Sequence, residues 1–139
     1  MNRFRILIEY NGGGYVGWQR QNNGPSIQAA LEAAAHGFTG EEILVQGAGR
    51  TDAGVHALGQ VAHLDIARDT DAETVLDALN HFLRKEPIVV LSAEAVTEDF
   101  HARFSALERH YLFRILARRA PVTHANGLVW QVKQQLDVA

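Results

Sequence analysis

RFRILIEY, residues 3–10, decides how the rest of the chain is read. Phe4, Ile6, Ile8 and Tyr10 alternate with Arg3, Arg5, Leu7 and Glu9, the period of a strand with one apolar face. The run Asn11-Gly12-Gly13-Gly14 breaks that pattern. It lacks the GxxxxGK[ST] lysine and the GxGxxG spacing of phosphate cradles, so a flexible hairpin or loop is expected there. Beyond it, Asn23-Gly24-Pro25-Ser26 supplies helix-start chemistry. Ile27, Leu31, Ala34 and Phe38 follow at near-helical spacing, until Gly37 and Gly40 are expected to end the element.

Ile43 to Gln46 reads as a short strand, and Gln60 to Ile66 as a second one. In the latter Ala62, Leu64 and Ile66 face the core while His63 and Asp65 share the exposed side. Thr70 and Glu73 resemble a capping box, and Val75, Leu76, Leu79, Phe82 and Leu83 form an apolar helical stripe that ends before Pro87. Ile88 to Ala93 adds another strand. The predicted order is β-α-β-β-α-β, an α+β, ferredoxin-like unit. Additional C-terminal strands are expected at about Arg109 to Ala117 and Leu128 to Val132. No repeat, low-complexity tract or Pro/Ser-rich linker divides the sequence, so residues 1–139 are read as a single domain, with 107–139 as an extension.

Composition narrows the function classes. The chain has 139 residues, 47% of them hydrophobic, enough for one sizeable core and short for two. No apolar run reaches the roughly 18 residues of a membrane span, and no signal-peptide pattern opens the chain, so no membrane association is expected. Cysteine is absent, which removes thiolate catalysis and cysteine-ligated zinc and fits a reducing cytoplasm. The seven histidines form no tight ligand pair, so no metal is expected. A net charge of -3 argues against a general polyanion binder, which makes any nucleic-acid site local.

One turn concentrates unusual chemistry: Gly47-Ala48-Gly49-Arg50-Thr51-Asp52-Ala53-Gly54-Val55-His56. If residues 50 to 52 are extended, Arg50 and Asp52 project to one side, where the guanidinium can orient an ionised carboxylate. Such an aspartate can act as nucleophile or general base without a cofactor. The same residues also suit a structural turn locked by an Arg-Asp pair. Residue chemistry alone leaves both readings open.

The run Gly49 to Ala57 closely resembles the signature of TruA-type tRNA pseudouridine synthases. Further blocks match that family in order: Glu9-Tyr10, Gly17-Trp18-Gln19-Arg20-Gln21, Ser26-Ile27-Gln28, Gly59-Gln60-Val61, Asp99 to Ala106 and Arg109-His110-Tyr111. The resemblance covers nearly the whole chain and implies the pseudouridine synthase fold of TruA type. It also implies isomerisation of uridine to pseudouridine in the tRNA anticodon arm, at nucleotides 38, 39 and 40, with no cofactor. By this similarity Asp52 is the catalytic aspartate, Arg50 guides the flipped nucleotide and Tyr111 lies against the target base. Arg20, Arg103 and Arg109 are implied phosphate contacts. Tyr111 also suits a core position on a strand it shares with Phe113 and Ile115.

TruA-type enzymes resemble two related α/β halves that pair as homodimers. This chain looks like the first half with a lead-in, 107–139, to the second. The alternative is a non-catalytic tRNA-binding half-domain that needs the second half for turnover. An RRM has the same element order, but Gln60 to Ile66 lacks the aromatics an RRM displays. A carboxylate-dependent nucleoside hydrolase is a third possibility, separated by its release of free base.

Overall fold

A computed structural model of the chain describes residues 1–138. Met1–Leu107 forms one compact unit, and a second begins at Glu108. In the first, the elements run β1 (Asn2–Tyr10), α1 (Ile27–Thr39), β2 (Gln46–Gly47), β3 (Ala57–Ile66), α2 (Ala72–Phe82) and β4 (Ile88–Val96). They build a mixed α/β unit whose sheet has the order β2-β3-β1-β4, antiparallel at every step. β1 lies inside the sheet, so its alternation meets protein on both edges: Phe4 faces Leu64 on β3 and Ala95 on β4, and Ile6 faces Ala62 and Ala93.

Phe4, Ile6, Ile8, Tyr10, Ala62, Leu64 and Ile66 are buried together with Ile27, Leu31, Ala34 and Ala35 of α1 and Val75 and Leu79 of α2. Each large aliphatic or aromatic side chain so enclosed contributes roughly 1.5–3 kcal/mol relative to exposure. Ser26 caps α1 by accepting the Ala29 amide at 3.1 Å. Gly37, expected to end α1, lies inside it: a Cβ there would stand 2.8 Å from the Phe82 ring, so this glycine is a contact between α1 and α2. Gly40 alone provides the stop. The cap of α2 also differs from expectation. Asp71, not Thr70, accepts the Thr74 amide, at 2.8 Å.

The strand expected over Ile43 to Gln46 pairs only at Gln46–Gly47. Ile43 and Val45 are buried, but side chains of α1 satisfy the Val45 backbone: its N–H donates to Glu32 Oε2 at 3.0 Å and its carbonyl accepts from Gln28 Nε2 at 2.9 Å. A backbone so satisfied needs no neighbouring strand.

His63 is buried, not exposed. The second face of the sheet is covered over part of its area by the segment after β4. Arg3 grips Asp65 through Nε at 2.8 Å and Nη2 at 2.9 Å, and its Nη1 donates to the carbonyls of Glu98 and Phe100. The Ala102 amide donates to His63 Nδ1 at 3.0 Å, and the rings of Phe100 and His101 pack against that imidazole. Arg3 holds the Asp65 carboxyl below the usual carboxylate range.

In the second unit, β5 (Ile115–Ala117) pairs in parallel with β6 (Trp130–Val132). The strands expected over Arg109 to Ala117 and Leu128 to Val132 are thus reduced to three residues each. Tyr111 precedes β5 and is 64% exposed, so it shares no strand face with Phe113 and Ile115. No helix among the described residues is long and apolar enough to cross a membrane.

Burial, reinforced by the charge of Arg3, pushes the His63 imidazole from 6.5 down to about 4. Between these values the unfolded chain binds the extra proton. Stability is therefore complete above pH ~6.5 and falls toward pH ~4, by up to about 1.4 kcal/mol per pH unit. The melting temperature of His63→Asn, whose side-chain oxygen can take the Nδ1 position without titrating, should decline less steeply over that window. Equal slopes would remove His63 as the source.

Candidate active site

The loop from Gly49 to His56 connects β2 to β3, and β1 with the segment following it fixes its backbone. The hydroxyls of Tyr10 and Thr51 lie 2.8 Å apart, and the Trp18 amide donates to the Thr51 carbonyl at 2.9 Å. Gly17 and Asp52 form an antiparallel bridge around that bond. From β3, Gln60 donates to the Gly49 carbonyl at 2.6 Å, and the Val61 carbonyl accepts the Ala48 amide at 2.8 Å. The Gly12 amide donates to His56 Nδ1 at 2.9 Å.

Two glycines make these approaches possible. Gly17 adopts φ 120°, and a Cβ on it would stand 2.8 Å from the Thr51 carbonyl oxygen. Gly54 adopts φ 79° at the third position of a β-turn closed by the Val55 amide donating to the Asp52 carbonyl at 3.1 Å. That is type II turn geometry, which requires positive φ at this position. Asp52 thus opens a turn with its side chain outward and exposed.

Arg50 and Asp52 share this loop, and both are exposed. The Arg50–Asp52 pair read from their spacing does not form among the described residues. The loop is held through its backbone and Thr51, and an exposed ion pair adds at most about 1 kcal/mol. Arg20 lies just beyond Trp18; its guanidinium pairs with Glu32 of α1, and its amide donates to Gln28 at 3.0 Å. Arg20 therefore compensates a buried carboxylate as well as offering an exposed cation. Arg103 is exposed, with its guanidinium 5.9 Å from the Phe104 ring centroid. Arg109 and Tyr111, both exposed, belong to the second unit.

Sequence reasoning assigned no role to Tyr10, Thr51 or His56. Tyr10 carried a usable signal, since it ends the buried face of β1 immediately before the glycines. His56 carried a signal too, since it lies inside the Gly49 to Ala57 run that resembles the family signature. Among the described residues, no three His, Asp or Glu side chains gather as a metal site requires.

Comparison with known proteins bears on this loop directly. A family model described as tRNA pseudouridine synthase matches residues 6–105, which include all of it. A tRNA pseudouridine synthase A of Dinoroseobacter shibae is 59% identical over 138 residues, covering 99% of this chain and 54% of the relative. Proteins of the same name from Maricaulis maris and Rhodospirillum rubrum are 56% and 57% identical, with 55% and 50% of their lengths covered. The chain spans about half the length of the curated relatives it matches.

The Gly17 contact generates a stability prediction. Gly17→Ala combines an unfavourable φ with a collision against Thr51, at a cost of about 2 kcal/mol. The urea midpoint should fall accordingly. An unchanged midpoint would show that the bridge to Asp52 does not constrain the loop.

Proposed function

Because the chain belongs to the tRNA pseudouridine synthase family, we propose that it isomerises uridine to pseudouridine in the tRNA anticodon arm, at nucleotides 38, 39 and 40, without a cofactor. The observation that carries this reading is the Asp52 carboxylate: exposed, unpaired among the described residues, and mounted on a backbone fixed from several sides. A preorganised acid of this kind enters the reaction without first reordering its loop. The reaction breaks the bond between C1′ and N1 of uridine, forms one between C1′ and C5, and releases the C5 hydrogen as a proton while N1 takes one up, so the product is an isomer of the substrate. Asp52 supplies the nucleophile to the nucleoside, and the free acid is regenerated at the end. The target base must leave its helical stack to meet the carboxylate.

In this reading Arg50 guides the flipped nucleotide. Tyr111 stacks on the target base, and its phenol can relay a proton. Arg20, Arg103 and Arg109 contact phosphates and set register without reading sequence. The sheet order β2-β3-β1-β4 with two helices supports a ferredoxin-like unit of the TruA type. Family membership and the match to about half of each relative carry the rest of the proposal: 107–139 leads to a second half, and the protein acts in the cytoplasm as a homodimer.

Tritium release from tRNA labelled at C5 of uridine tests the proposal, using the chain and the longest product of its reading frame. Asp52→Asn should abolish release while leaving tRNA affinity and melting temperature largely intact; undiminished turnover would remove Asp52 from the mechanism. Free uracil as product would indicate a hydrolase, release only by the longer product would leave a tRNA-binding half-domain that needs its second half, and tRNA binding without turnover by either protein would leave an RNA-binding module. Tyr111→Phe should remain folded and react about 10²-fold more slowly. An unchanged rate would remove its phenol from the reaction.

A further inference from the structure

The glycine run after β1 has a job that neither a phosphate cradle nor a flexible loop explains. Gly12–Gly14 is one turn of 3-10 helix, capped by Asn11, whose side chain accepts the Gly13 amide at 3.0 Å, and closed by the Tyr15 amide donating to the Gly12 carbonyl at 3.1 Å. Its far side is anchored to the segment before β4. The Asn11 amide donates to the Pro87 carbonyl at 3.0 Å, and the Tyr15 hydroxyl donates to Glu86 at 2.5 Å. The first amide of such a turn has no partner within it. In Gly12 that amide goes to His56 Nδ1, across to the loop that carries Asp52.

The approach is closer than a hydrogen bond alone requires. A Cβ on Gly12 would stand 1.9 Å from the Val55 carbonyl oxygen and 2.7 Å from its carbon, so the backbone of Val55 rests directly on Gly12. The Val55 amide closes the turn onto the Asp52 carbonyl. Gly14, two residues along, would place a Cβ with nothing within 4 Å. Neither Gly12 nor Gly14 has positive φ, so alanine strains neither backbone, and only the contact distinguishes the two positions.

The geometry points to Gly12 and His56 as a latch that positions the Asp52 turn for reaction. Gly12 supplies a flat seat for Val55, and the imidazole supplies the acceptor that holds the seat in place. Both act through the turn, as positioning residues. The inference rests on the reading of Asp52 as the reacting carboxylate, while the latch itself is measurable without turnover.

Two readouts test it on the same variants: amide hydrogen exchange at Gly12 and Val55, and tritium release from C5-labelled tRNA. Gly12→Ala should raise exchange at Val55 at least about tenfold and lower kcat by about 10²-fold with KM within about twofold, since a carboxylate moved by about an ångström loses alignment more than affinity. Gly14→Ala should match wild type in both. His56→Ala should expose the Gly12 amide and reduce kcat, whereas His56→Asn, whose side-chain oxygen can occupy the Nδ1 position, should recover most of each. Wild-type exchange and kcat in Gly12→Ala, or equal losses in His56→Asn and His56→Ala, would overturn the latch. If Gly12→Ala unfolds, shown by loss of protection at Ile6, the His56 pair decides. If wild type releases no tritium, the reading of the reaction fails, and exchange alone decides whether the latch exists.

Discussion

The hydrogen bond from the Trp18 amide to the Thr51 carbonyl joins two loops that the chain order keeps far apart. It forms beside Gly17, whose positive φ other residues rarely adopt, and Tyr10, at the end of β1, meets the Thr51 hydroxyl as well. Thr51 is thereby held at its hydroxyl and its carbonyl while the next residue, Asp52, remains exposed. Immobilising the backbone and leaving one acid accessible is a costly arrangement for a mere connection, because ordering each residue costs about 1–2 kcal/mol of backbone entropy. That cost is understandable at a site where geometry matters.

β1 makes this possible by lying inside the sheet. Its helix-facing side chains anchor the core, and its opposite face begins with Arg3, which collects Asp65 and the carbonyls of Glu98 and Phe100. The segment Thr97 to Ser105 is thereby drawn over the sheet beside buried His63, and His101 reaches Gln46 of β2 at 3.1 Å. The short strand β2 is paired along one edge by β3, and its Gln46 side chain is held by this strap. The loop that follows β2 starts from a fixed point.

The legible parts of the fold were those governed by local chemistry. The alternation of β1, the Ser26 cap and the stripe through Val75 and Leu79 each follow from neighbours a few residues away, and each formed. The misread parts depend on distant segments. His63 is buried because Ala102 and its neighbours cover it, and Gly37 continues its helix because Phe82 needs the space. Val45 is not a strand residue because Gln28 and Glu32 satisfy its backbone. At the site, the motif drew attention to Arg50 and Asp52, but the loop is held instead through Thr51, by Tyr10 and the Trp18 amide.

In the proposed function, the Gly49 to His56 loop is where this unit meets RNA. A titration of ¹⁵N-labelled protein with an anticodon stem-loop RNA, followed residue by residue, tests it most directly. The largest shifts should fall on the amides of Arg50, Asp52, Gly54 and Val55. Saturation with those amides unmoved, and shifts confined elsewhere in the unit, would place the RNA away from this loop.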